Sequence, residues 1–309
     1  MNEPGPDGER EGYESPAAFR RALTDRLRAK AESGHWSLAQ LQRQIAYDRL
    51  LERLYNVDDS WIVKGATALL ARNLSVRGSI DVDVYREVAR EVAEAELRQA
   101  ADLDLGDWFR FEVGGALPAT QAASGVRLPV RAFVGATVWA EFHIDLVGSD
   151  LRMTGQPDEV PPIARVSMPN IEQHGYRAYP LPDHVADKIC GILERHGDAD
   201  LPSTRYRDLV DLVAIVSGAS VAADDQLRAL SSEVARRGLT LPRRFDVPDR
   251  DLWEPGYAAE AERSLLTTSR TLDEALAAVR PFVDPLIDGT AAGKWDPASG
   301  TWTPELIDG

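Results

Sequence analysis

One stretch, residues 62–85 (IVKGATALLARNLSVRGSIDVDVY), limits what this chain can fold into more than any other. A short apolar run, Trp61-Ile62-Val63, leads into Lys64 and Gly65. Residues 66–73 then read as a short helix, 75–79 as a polar turn, and 80–85 as a second strand. Side chains alternate along a strand, which puts Ile80, Val82 and Val84 on one face and Asp81, Asp83 and Tyr85 on the other. Aspartate is disfavoured in strands, and two on one face lie about 7 Å apart. Charges of one sign that close repel unless a cation lies between them. An exposed acidic strand face is the plainer alternative. Gly65 adds a second feature, because a glycine between strand and helix lets backbone N–H groups approach an anion, and a helix start favours negative charge.

One strand–turn–helix–strand unit therefore offers a phosphate cradle followed by a carboxylate pair for a divalent metal, the layout that nucleotidyl transfer needs. The same residues carry a family likeness. Lys64-Gly65-Ala66-Thr67-Ala68-Leu69, followed by Arg77-Gly78-Ser79-Ile80-Asp81-Val82-Asp83, resembles the AbiEii/AbiGii (MenT-type) nucleotidyltransferase toxins of the polymerase-β-like superfamily. That superfamily's signature is a glycine turn followed by a D-x-D strand. The chain departs from it at Ala66, where a second glycine is usual, and at Ile80, where a basic residue is usual.

The chain's bulk properties narrow the classes. Its 309 residues can form one large domain or two modest ones with a real core. The hydrophobic content of 44% and charged content of 28% are those of an ordinary globular protein. No run of about 18 apolar residues occurs, so no membrane span is expected. The first residues are acidic and polar and do not read as a signal peptide. The single cysteine, Cys190, excludes an internal disulfide framework and reads as a small buried thiol. A cytoplasmic location is the expectation. A net charge of −15 argues against a general nucleic-acid coat protein and confines any RNA contact to a local basic patch.

Along the chain, residues 1–15 are rich in Glu, Gly and Pro and are expected to form a disordered tail. Helices follow at 16–31 and from Ser37, where Ser37 and Gln40 have the spacing of a capping box. After the organising stretch come a helix at 86–101 and strands at 108–113, 126–134 and 137–147, with a small-residue loop at 114–125. The last of these strands buries Ala140, Phe142, Ile144 and Leu146 and turns Glu141, His143 and Asp145 the other way. Prolines crowd 148–179, an irregular connector with a short strand expected at 164–168. Residues 180–196 form the next helix, opened by a proline in its first turn. Lys188 borders this helix's apolar stripe, from which its amine can reach water. In the following helix Asp208 and Asp211 share a side, a placement that the helix dipole alone would also favour. Helices are expected at 222–237, 258–266 and 272–287, the last kinked at Pro281. Residues 291–309 form a tail, either packed back on the body or disordered. Arg236-Arg237 and Arg243-Arg244 are the densest basic clusters and the places to look for an RNA backbone.

The expected fold class is α/β (α+β): a polymerase-β-like nucleotidyltransferase core with N-terminal helices at 16–150, a mainly helical region at 151–290 and a tail at 291–309. The resemblance implies that Asp145, on a neighbouring strand, is the third carboxylate beside Asp81 and Asp83, with Glu141 a weaker candidate and His143 more plausibly a neutral neighbour. The three aspartates would hold one or two Mg²⁺ ions. Backbone groups near Lys64, Gly65, Thr67 and Ser79 would bind the NTP. Lys188 would neutralise phosphate charge, Asp208 would be the further catalytic-site acid, and Asp211 would support it. The same resemblance implies tRNA as acceptor at its 3′ end, blocked translation, and a cognate antitoxin as partner. The alternatives are a protein or small-molecule acceptor, or a degenerate protein that binds nucleotide or antitoxin without turnover, which Ala66 and Ile80 would suit.

Overall fold

The computed structural model describes residues 12–118, 125–148 and 152–304. In chain order the elements are α1 (Pro16–Ser33), α2 (Leu38–Val57), β1 (Ile62–Lys64), α3 (Gly65–Ala71), β2 (Asp81–Tyr85), α4 (Arg90–Ala101), β3 (Phe109–Val113), β4 (Leu117–Pro118), β5 (Val126–Val134) and β6 (Thr137–Val147). They continue with β7 (Asp158–Val160), β8 (Tyr176–Ala178), α5 (Leu181–Leu193), β9 (Arg195–His196), β10 (Leu201–Pro202), α6 (Tyr206–Gly218), α7 (Ala223–Arg237), α8 (Arg250–Glu262), α9 (Leu272–Ile287), β11 (Lys294–Asp296) and β12 (Thr301–Thr303). The elements divide into two compact units that interleave along the sequence rather than parting near residue 150. One comprises Met1–Trp61, Ile80–Asp150 and Pro161–Tyr176; the other comprises Ile62–Ser79, Leu151–Val160 and Arg177–Gly309.

The first unit is a mixed sheet backed by helices. Its strands run β3-β5-β6-β2, with β4 also paired to β5. β2 and β6 are parallel, in the register Asp83 to Asp145, whereas β5 pairs antiparallel with both β6 and β3. One face is apolar: Val82, Val84, Leu128, Val130, Phe142, Ile144 and Leu146 are buried. The opposite face carries the polar alternates of β2, β5 and β6. Ile80 does not join Val82 and Val84; it precedes β2 and is 57% exposed.

Helix α2 covers the apolar face, with Tyr47 packed edge-on to Phe142 at 4.9 Å. The Ser37–Gln40 capping box forms at its start. The helix also buries Arg49 and Arg53, which the apolar pattern gives no reason to expect inside. Both donate to the buried Asp107, Arg53 through Nη2 at 2.8 Å and Nη1 at 2.9 Å, and Arg49 through Nε at 2.7 Å. Charges out of water need such multiple partners. In front of α2, the Ser15 side chain caps α1 by accepting from the Ala18 N–H at 3.2 Å. The tail expected at residues 1–15 otherwise lies, through residue 11, outside the described residues, as do 119–124 of the small-residue loop.

The second unit pairs β1 parallel with β8, Val63 opposite Ala178, with β7 beside β8. Both β7 and β8 fall in the proline-rich connector; the strand expected at 164–168 does not form, and these two stand before and after it. α5 to α9 enclose a core that includes Val185, Ile189, Leu209, Leu212, Trp253, Tyr257 and Phe282, and Cys190 is buried there with its thiol pushed up to about 12 by desolvation. α8 begins well before the expected residue 258, and α9 runs through Pro281 and Pro285 as one helix. The chain's last described residues are a hairpin: Trp295 is buried, donates Nε1–H to the Val216 carbonyl at 2.7 Å and packs edge-on to Phe282 at 5.1 Å. Residues 305–309 of the expected tail lie outside the described residues.

Candidate functional site

In the first unit, the strand register brings the sequence-predicted acids together. Asp83 and Asp145 are direct neighbours on parallel strands, and Asp81 stands opposite His143 on the same face. Strands lie about 4.8 Å apart, so three carboxylates and an imidazole share one small area of sheet. All four are half-buried or partly exposed. The His143 Nδ1 lies 3.5 Å from an Asp81 oxygen. Glu141 lies further along β6, exposed, and pairs with Arg131 at 3.2 Å.

A fifth residue, not foreseen from the sequence, holds this cluster together electrostatically. Arg127 on β5 donates Nε–H and Nη2–H to the two Asp145 oxygens at 2.8 and 2.7 Å, and its Nη2 lies 3.3 Å from Asp81. The hydrogen-bonded Asp145 carboxylate, reinforced by Asp81 and Asp83, raises the guanidinium's proton affinity despite partial desolvation. A β-bulge creates this arrangement. From the β5–β6 turn the register begins Val134 to Thr137 and Phe133 to Val138, then jumps so that Ala132 meets Ala140 and Arg127 meets Asp145. Without the extra residue, Trp139, Arg127 would stand opposite Ile144 on the apolar face. Trp139 is itself fixed there by burial and by donating Nε1–H to the Gln42 carbonyl at 2.8 Å.

The donor set suits a hard divalent cation. Magnesium ordinarily takes one or two protein carboxylates and completes its shell with phosphate oxygens and water, so Asp81 and Asp83 suffice. Among the described residues no three Asp, Glu, His or Cys side chains converge closely enough to hold a metal ion. The Asp145 carboxylate is instead paired through both oxygens with Arg127.

The second unit holds the other predicted residues in two groups. Gly65 has φ +56°, the left-handed region that a β-carbon disfavours, and this lets β1 turn directly into α3. Thr67 is fully buried, and Ser79 is half-buried in the turn before β2. The Lys64 amine lies 4.3 Å from the centre of the Tyr179 ring and 3.9 Å from Asp187.

The second group is a buried ion network. Lys188 on α5 is 4% exposed and donates to Asp208 at 2.9 Å and Asp211 at 2.7 Å on α6. Asp211 also accepts both prongs of Arg77 at 2.8 Å, and Asp208 accepts from Arg205. Burial lowers the proton affinity of Lys188, but the two carboxylates outweigh it and the net effect is upward. Burial likewise pushes the Asp211 carboxyl up, and Lys188 with Arg77 overcomes this to hold it well below the usual carboxylate range. The sequence expectation of a lysine reaching to water at the stripe's edge therefore fails; the amine is enclosed. Arg77 and Arg205 were missed as members, although Arg77 lies in the motif itself.

Arg236 and Arg237, read from sequence as an exposed basic cluster, are largely consumed within the unit. Arg237 is bonded to Glu233 and Glu194 and lies 3.4 Å from Asp187, and Arg236 bonds Glu233. Arg243 and Arg244 stay exposed. Two surface concavities of about 400 and 620 Å³ include none of the residues named in either cluster.

Residues 49–278 match the family described as nucleotidyl transferase AbiEii toxin, type IV toxin–antitoxin system. No curated protein matches the chain. Among solved structures it is similar to MenT4, a nucleotidyltransferase toxin from Mycobacterium tuberculosis H37Rv, at 17% identity over 87% of this chain and 98% of that one, with a TM-score of 0.48. A putative nucleotidyltransferase from Helicobacter pylori is 16% identical over 80% and 96% of the two chains, TM-score 0.46. JHP933 from Helicobacter pylori is 15% identical over 80% and 93%, TM-score 0.44.

Proposed function

The chain belongs to the AbiEii family of nucleotidyl transferase toxins, and from that premise we propose that this nucleotidyltransferase adds nucleotides from NTP to the 3′ end of tRNA and so blocks translation. The observation that carries the proposal is the in-register pairing of Asp83 with Asp145, with Asp81 on the same face and Arg127 bonded to Asp145 beside them. Asp81 and Asp83 would hold Mg²⁺, with Asp145 as the third acid; when bound, the cation orients the triphosphate, activates the attacking hydroxyl and stabilises the leaving pyrophosphate. Lys64, Gly65, Thr67 and Ser79 bind the nucleotide. Lys188 supplies positive charge toward its phosphates, and Asp208 sets the position of that amine, to which it is hydrogen-bonded at 2.9 Å. Membership of a toxin–antitoxin family implies a cognate antitoxin as partner. Among the described residues no helix is long and apolar enough to cross a membrane.

One observation favours a second acceptor class. With a net charge of −15 and Arg236 and Arg237 tied up by acids, one of the two densest basic clusters is withdrawn from an RNA backbone and Arg243 and Arg244 are left exposed, a reduction that suits a protein or small-molecule acceptor. Inducible expression separates the readings. Wild type should arrest growth, Asp83→Ala should relieve the arrest, and tRNA from arrested cells should carry extra 3′ nucleotides. Arrest with unaltered tRNA ends would transfer the proposal to the other acceptor class.

A further inference from the structure

Arg127 is not among the residues that the family signature supplies, and it sits where the three acids meet. Its guanidinium is held by both oxygens of Asp145 and lies 3.3 Å from Asp81, so one positive charge already balances part of the cluster. A divalent cation at Asp81 and Asp83 would enter beside that charge and be repelled by it. Both guanidinium prongs already draw on the Asp145 oxygens, so a cation that turned to that carboxylate would compete with them for its negative charge. A triphosphate changes this balance, because its oxygens accept paired N–H donors as a carboxylate does. Arg127 is the only strand residue bonded to Asp145 by two prongs among the described residues, and the bulge at Trp139 exists in the register that puts it there.

Resting on the metal-dependent reading above, we propose that Arg127 is a displaceable internal counter-ion: it competes with the divalent cation for the Asp81 and Asp145 carboxylates and yields to it when a nucleoside triphosphate offers the guanidinium another partner. In the unloaded protein Arg127 offsets part of the acids' mutual repulsion. In the loaded protein it turns to the phosphates and frees Asp145. Metal and nucleotide then promote each other's binding by the same factor, as linkage requires.

The test is equilibrium binding of Mn²⁺, followed by its electron paramagnetic resonance signal, with and without a non-hydrolysable NTP analogue. Wild type is compared with the neutral variants Arg127→Met and Arg127→Gln and the charge-conserving Arg127→Lys, each checked for folding by circular dichroism. The neutral variants should bind Mn²⁺ without nucleotide at least about tenfold more tightly than wild type, the effect of removing one nearby unit charge from a half-solvated site. They should also lose most of the nucleotide's enhancement, while Arg127→Lys stays near wild type. Having two neutral variants guards against one that fails to fold. Equal or weaker Mn²⁺ binding by a folded neutral variant would overturn the proposal, since a purely structural arginine would disturb the acids when removed. If no protein binds Mn²⁺ in a manner abolished by Asp81→Ala, with or without nucleotide, the metal-dependent reading fails as well.

Discussion

Replacing Lys188 by methionine keeps the length of the side chain and its helix packing but removes the charge between two buried carboxylates. Asp208 and Asp211 are each less than a tenth exposed. Breaking a buried ion pair by deleting one partner costs about 3–5 kcal/mol, because the other charge is left inside. Here each carboxylate keeps a second cation, Arg205 on Asp208 and Arg77 on Asp211, which puts the cost near the lower limit, about 3 kcal/mol. At about 2–4 °C per kcal/mol for a domain of this size, the melting temperature should fall by about 6–12 °C. The signs of the shifts fix the pH range. Lys188 is raised, so its contribution is present below its unfolded value and is lost as pH rises through the folded one. Asp211 is depressed, so its contribution is present above the ordinary carboxylate value and is lost as pH falls through the folded one. The wild-type advantage should therefore be widest across neutral pH and shrink toward both extremes. Calorimetric melts of wild type, Lys188→Met, Asp208→Asn and the double variant would measure it. The double variant should be less destabilised than the sum of the two single ones, because they share a bond. A Lys188→Met protein that melts within about 1 °C of wild type would refute the claim that this amine holds the network.

Three further outcomes are expected. Asp81→Ala should abolish nucleotidyl transfer while leaving the melting temperature nearly unchanged, since the side chain is partly exposed; retained turnover would remove Asp81 from the machinery. Gly65→Ala should destabilise the protein by about 1–2 kcal/mol, because φ +56° crowds a β-carbon, and a neutral result in chemical denaturation would show that the turn relaxes. The Asp58 carboxyl is held down to about 2 by hydrogen bonds from Ser60 and by Arg86, so its contribution is present above the ordinary value of 3.8 and is lost as pH falls between the two; Asp58→Asn should flatten that part of the acid-denaturation curve.

The organising strand was legible because its signals are local. Alternation alone put Asp81 and Asp83 on one face, and the glycine before a short helix marked a turn that does take a positive φ. Asp145 followed from alternation on its own strand, and Lys188 and Asp208 from their order in the family pattern; the structure adds that these two are hydrogen-bonded to each other. What stayed hidden depended on non-local geometry. Arg127 meets Asp145 through a one-residue bulge that no periodicity announces. Arg49 and Arg53 read as polar positions on a helix until Asp107, more than fifty residues away, is found beside them. Lys188 looked like a boundary residue because sequence spacing shows its own helix but not the α6 acids that close over it. The short strands β7 and β8 lie among prolines, where neither alternation nor length gives a usable signal.

The most direct test of the central claim is transfer of label in vitro. Purified protein is incubated with each α-labelled NTP and Mg²⁺, with total RNA or with total protein as acceptor, beside Asp81→Ala and Asp83→Ala controls and RNA whose 3′ ends have been oxidised. The account predicts label on tRNA-sized RNA for the wild type, none for either variant, and none on oxidised RNA. Label appearing on protein instead of RNA, or equally with wild type and the Asp83→Ala variant, would contradict it.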